Sequence, residues 1–125
     1  MPCIAHIKQS HDGDFIFQTL ADHLRGTAEQ AAGFAKVFGN EDWGRLLGFW
    51  HDLGKYVPDW QTHIRQDSGY EIDDLKSVKR VHHSSHGAIN AFLRIPKCVP
   101  IARLISYIVA GHHAGLADWQ ETGGN

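Results

Sequence analysis

An all-α fold is predicted for this 125-residue chain by three observations. Apolar residues recur at three-to-four spacing through most of its length, and helix start and stop signals bracket each run. No segment alternates strictly enough, or is rich enough in β-branched residues, to make a convincing sheet. The first helix is TLADHLRGTAEQAAGFAKVF, with Leu20, Leu24, Ala28, Ala31, Ala35 and Phe38 on one stripe and Gly39-Asn40 as its stop. Asn40 then caps a second helix whose first turn carries Glu41 and Asp42, which suits the positive end of the helix dipole. It runs through Trp43, Leu46, Leu47 and Trp50 towards Gly54.

Pro58 opens a third helix containing Trp60, His63 and Ile64, which ends near Ser68-Gly69. Residues 68 to 82 read as a polar loop of mixed charge. Ser84 or Ser85 starts a fourth helix through Ala88, Ala91, Phe92 and Leu93, stopped before Pro96. Pro100 opens the fifth, IARLISYIVAGHH, whose apolar character predicts a largely buried element. The tail ADWQETGGN carries no secondary-structure signal. Trp43, Trp50, Trp60 and Phe92 are expected in the core, with Trp60 and Trp119 as faint candidates for stacking on bases.

Composition narrows the function classes. One domain is expected at this length. A formal charge of -2 gives no basic surface of the kind a passive DNA-binding module needs. Cys3 and Cys98 form neither a zinc ribbon nor a disulfide framework. No apolar run approaches a membrane span and the N-terminus lacks the shape of a signal peptide, so a cytoplasmic protein is expected. Histidine is the anomaly, at ten residues in 125.

FWHDLGK, residues 49 to 55, places His51 and Asp52 among apolar neighbours with Lys55 just after. An ordinary i, i+3 ion pair between Asp52 and Lys55 accounts for part of it. The helix map, however, sets His23 inside the first helix, His51-Asp52 at the end of the second, His83 before the fourth and His112-His113 at the end of the fifth. Imidazole and carboxylate suit Mn, Fe, Co, Ni or Zn, and a carboxylate can bridge two ions. Helix bundles build di-metal centres from ligands on several helices in this way. His6, His11, His63, His82 and His86 are expected to be solvent-facing or hydrogen-bonded.

The ordered pattern His23, His51-Asp52, His83, His112-His113 resembles the HD superfamily of metal-dependent phosphohydrolases. More narrowly, IAHIKQ, LADHL, LLGFWHDLGKYVPDWQTHI, HHSSHGA and AGHHAGLAD resemble, in order and approximate spacing, the HD nuclease domain of the type I CRISPR nuclease-helicase. The resemblance covers about residues 4 to 119 and implies an HD-domain helical bundle. It implies one ion held by His23, His51 and Asp52 and a second by Asp52, His83, His112 and His113, with Mg added to the candidate metals. It also implies Lys55 beside the phosphate or leaving group, so that His51, Asp52 and Lys55 are the residues of catalysis. The implied substrate is single-stranded DNA, cut in antiviral CRISPR interference. The implied partners are a DExD/H-type helicase and a crRNA-guided surveillance complex. The family pattern continues to a further aspartate, so residues 1–125 are expected to be the N-terminal part of a longer HD domain. Two rival expectations are an HD phosphohydrolase of nucleotides or cyclic nucleotides, which needs a compact pocket, and a non-catalytic metal-stabilised scaffold.

Overall fold

The chain opens not on a helix but on an antiparallel hairpin, β1 (Ile4–Gln9) and β2 (Phe15–Thr19), which the sequence reading missed. The computed structural model describes residues 1–71, 81–95 and 97–115. The reason for the miss lies in the pairing. Ile4 opposes Thr19 while His6 opposes Gln18, so Ala5 is an extra residue that breaks the two-residue alternation. Ile4 and Ala5 are consequently both buried. A hairpin signal was present all the same in Asp12-Gly13. Gly13 takes a φ of 90° in a loop where Ser10 accepts through its carbonyl from the Gly13 N–H and through its hydroxyl from the Asp14 N–H.

The rest of the described chain is helical, as expected. Helix α1 spans Leu20–Ala35, with the Thr19 hydroxyl accepting from the Asp22 N–H at its start. A 3-10 turn, Lys36–Phe38, follows, and Gly39 ends it with φ 75°. Next come α2 (Glu41–Trp50), a second 3-10 turn at Leu53–Tyr56, and α3 (Pro58–Asp67) with proline in its first turn. Helix α4 covers Ser84–Arg94 and α5 covers Val99–Gly111. The loop expected at 68 to 82 lies outside the described residues between 72 and 80, and so do Pro96, Trp119 and the whole of the expected tail.

Small residues set how closely these helices approach. Ala28, Ala31 and Ala35 of α1 face Gly44 and Gly48 of α2, and a Cβ on Gly48 would overlap the Ala28 backbone. That close packing carries His51, one turn beyond Gly48, up to His23. Two apolar clusters flank the junction: Ala5, Leu20 and Leu24 on the hairpin side, and Ala91, Ile105 and Val109 between α4 and α5. The core expectation fails for Trp43 and Phe92, which are 38% and 48% exposed, and holds for Trp60, which is 6% exposed. Periodicity marks an apolar face but not whether another element covers it.

Candidate metal centre

Asp52 stands at the junction of two elements. Helix α2 ends at Trp50, His51 caps it, and Asp52 is the N-cap of the Leu53–Tyr56 turn. Its carboxylate is 2% exposed and each oxygen has its own set of neighbours. The His23 Nε2 lies 2.9 Å from Oδ2, the His51 Nε2 3.2 Å and the Lys55 ammonium 2.8 Å. The His83 and His112 Nε2 atoms each lie 3.1 Å from Oδ1, and that of His113 lies at 3.8 Å. The structure thus divides the residues around one carboxylate into two groups, His23–His51–Asp52 and Asp52–His83–His112–His113, in each of which the ligand atoms lie within 4.8 Å of one another.

The donor chemistry of this cluster fits a cation. The Nδ1 of His51 lies 2.7 Å from the Gly48 carbonyl and that of His112 lies 2.5 Å from the Val109 carbonyl. A carbonyl only accepts, so Nδ1 carries the proton in both rings and Nε2 keeps its lone pair when the ring is neutral. These lone pairs face a carboxylate that also only accepts. The His23 and His51 Nε2 atoms are 3.2 Å apart, and those of His83 and His113 are 2.7 Å apart. So many converging acceptors demand either extra protons or a bound cation, and backbone carbonyls that fix ring tautomers are the usual outer support of metal-ligating histidines.

The titration shifts reflect the same crowding. Burial acts to raise the Asp52 carboxyl, but with those extra protons in place the hydrogen bonds from His112, His51 and His83, together with that from Lys55, outweigh it and hold the group far below the usual carboxylate range. His23 and His113 are lowered, first by burial, which outweighs their attraction to Asp52. In His112 burial also acts downward, yet its hydrogen bonds to Asp52 and Val109 win and raise it.

Lys55 sits deeper than its expected place beside a phosphate. It is 3% exposed, its ammonium is 3.5 Å from the Ala5 carbonyl oxygen, and it lies 5.0 Å from the centroid of the Trp60 ring. Trp60 is therefore a wall beneath Lys55, packed edge-on to His83 at 5.7 Å, and not a base-stacking platform. His11, His82 and His86 are exposed, in line with expectation.

Two residues of the site escaped the sequence reading. Gln61 is buried, accepting from the Ile4 N–H at 2.8 Å and donating to the Ile4 carbonyl at 2.9 Å and the Lys55 carbonyl at 2.7 Å. It ties β1 to the turn that carries Asp52. Gln61→Ala is expected to destabilise the fold by about 1–3 kcal/mol for each buried group left unpaired. The check is a lower urea midpoint with an unchanged slope. His6 was expected to be a solvent-facing histidine. It is exposed, but its ring stands edge-on to His23 with centroids 4.8 Å apart.

Residues 9–123 match the family described as Cas3, HD domain. The chain belongs to the Cas3 HD domain family. Membership places it among the HD domains of the type I CRISPR nuclease and implies a metal-dependent hydrolase of that system. The match spans α1 to α5 and every member of both Asp52 clusters. No curated protein sequence matches the chain. Among the described residues no helix is long and apolar enough to cross a membrane.

Proposed function

We propose that this Cas3 HD domain hydrolyses phosphodiester bonds of single-stranded DNA during CRISPR interference, using divalent ions held on the two sides of Asp52. The observation that carries this reading is the shared carboxylate, with two histidines gathered at Oδ2 and three at Oδ1. His23, His51 and Asp52 would hold one ion, and Asp52, His83, His112 and His113 the other. Mn, Fe, Co, Ni and Mg are the candidates. Such ions supply Lewis acidity to a phosphate oxygen and lower the pKa of a bound water.

The chain's own residues shape what happens there. Asp52 fixes both positions from a single buried anchor. Five neutral imidazoles would leave the positive charge of bound ions intact, which a phosphodiester transition state needs and an all-carboxylate cage would cancel. Lys55 neutralises the Oδ2 side and, as a fixed cation, adds to the field felt by the phosphate. His51, Asp52 and Lys55 are therefore the residues assigned to catalysis. The His113 side chain is 57% exposed on the Oδ1 side and His6, against His23 on the Oδ2 side, is exposed, so the centre meets solvent next to both groups. An open edge suits a polymer backbone better than a small nucleotide. A helicase and a crRNA-guided surveillance complex are the partners this reading implies, since duplex DNA must first be opened.

The test is a side-by-side assay with Mn²⁺ of a labelled linear single strand and a cyclic nucleotide. Degradation of the strand alone supports the proposal; hydrolysis of the cyclic nucleotide alone contradicts it. Acid should weaken the metal site. His112, the raised histidine, takes up its proton first as pH falls, while His23 and His113 resist. Mn²⁺ affinity is thus expected to start declining above about pH 6.5 as pH falls and to drop further below it, measured by calorimetry; affinity flat to about pH 5 contradicts imidazole ligation.

A further inference from the structure

We propose that the face of the hairpin bearing His6, Lys8 and Gln18 is a landing surface for the phosphate backbone of a single nucleic-acid strand, with His6 contacting the phosphate next to the metal centre. The proposal rests on the nuclease reading and says how the strand reaches the site. The register supplies the surface. His6 pairs with Gln18 and Lys8 with Ile16, so these four side chains share one face of the ribbon. Ile7 pairs with Phe17 and Gln9 with Phe15 on the other face, where Tyr70 packs edge-on against Phe15 at 5.4 Å and Phe17 at 4.9 Å. One face is thus occupied by an aromatic cluster, while His6, Lys8 and Gln18 are exposed on the other.

The extra residue at Ala5 aims this face. Bulges re-aim side chains and occur beside active sites. Here the bulge lets Ile4 and Ala5 both turn inward and leaves His6 against His23. The strand is held at that point from two sides, by Gln61 on both polar groups of Ile4 and by Lys55 on the Ala5 carbonyl. His6 is therefore rigidly mounted at the edge of the cluster without being one of its ligand atoms. Lys8 lies one face-repeat further out, about 6.8 Å along the strand, a step comparable to that between phosphates of an extended nucleic-acid strand. The carboxylates Asp12 and Asp14 lie beyond it, at the hairpin loop. The His6 imidazole and the Gln18 amide thus stand side by side next to the metal centre, with the Lys8 ammonium further out: groups that donate to phosphate oxygens.

The test measures binding of a short fluorescein-labelled oligothymidylate by anisotropy across a range of KCl, in EDTA so that no cleavage intervenes. The proteins are the wild type, His6→Ala, Lys8→Glu and the equal charge change Lys36→Glu, placed at the far end of α1. Lys8 is exposed, so its variant keeps the test valid even if His6→Ala folds poorly. Lys8→Glu is expected to weaken binding about tenfold and, by removing one ammonium–phosphate contact, to reduce the slope of log K against log salt by about 0.7, whereas His6→Ala weakens binding with the slope unchanged. Lys36→Glu should leave both unchanged. Absence of wild-type binding, unchanged binding in both hairpin variants, or an equal loss in Lys36→Glu overturns the proposal. Mn²⁺-dependent hydrolysis of bis(p-nitrophenyl) phosphate by the wild type judges the nuclease reading separately, because that ester has one phosphodiester and no neighbouring phosphate.

Discussion

Asp52→Ala is expected to abolish metal-dependent hydrolysis and, even without metal, to destabilise the protein. Both effects have the same origin. The carboxylate is the one group common to both histidine clusters, so its loss removes a ligand from each metal position at once. Changing groups outside the ligands of a metal site already costs about 10–100-fold in affinity, and loss of a shared ligand should exceed that. Several kcal/mol of transition-state stabilisation disappear with the ions, on the order of 10³-fold in rate or more. Without metal, Lys55 would keep its buried position but lose its carboxylate partner. Stranding one member of a buried pair costs about 3–5 kcal/mol, which for a domain of this size lowers Tm by on the order of 10–20 °C. Calorimetric Mn²⁺ titration and thermal melts in EDTA check the two halves. Asp52 is held well below the usual carboxylate range, so its contribution to stability is present above about pH 4 and is lost as pH falls towards its folded value.

Gly54→Ala should be the most damaging single-methyl change at the site. Gly54 lies two residues after Asp52, and a Cβ there would run into the carbonyl, carbonyl carbon and Cα of His83. Those are backbone atoms at the start of α4, so they cannot swing aside as a side-chain tip would. Overpacking of this kind costs about 1–3 kcal/mol. Here the strain is released by parting the Asp52 turn from His83, whose Nε2 stands 3.1 Å from Oδ1. The expected result is a Mn²⁺ affinity at least about tenfold weaker, with far-UV dichroism retained. A variant that melts lower but binds Mn²⁺ as tightly as the wild type contradicts the claim that Gly54 sets this distance.

Much of this is legible in the sequence. Three-to-four spacing and capping residues located α1 to α5 because each helix has one covered face and a local stop, such as Gly39. The residues around Asp52 were legible because they fall at helix ends in an order that a family pattern matches. The hairpin was not, since the extra residue at Ala5 erases the alternation that marks a strand. The role of Gln61 was not legible, because its partner Ile4 lies 57 residues away. Lys55 showed its charge but not its burial, which depends on Trp60 and Ala5 closing over it. Trp43 and Phe92 lie on apolar helical faces, and sequence periodicity is blind to what lies across from such a face.

The most direct measurement is incubation of circular single-stranded DNA with Mn²⁺ and either the wild type or Asp52→Ala. A circle has no ends, so any product requires an internal cut. The wild type is predicted to yield linear and then shorter strands, while Asp52→Ala leaves the circle whole. A circle untouched by wild-type protein that demonstrably binds Mn²⁺ would contradict the nuclease account and leave a metal-binding scaffold in its place.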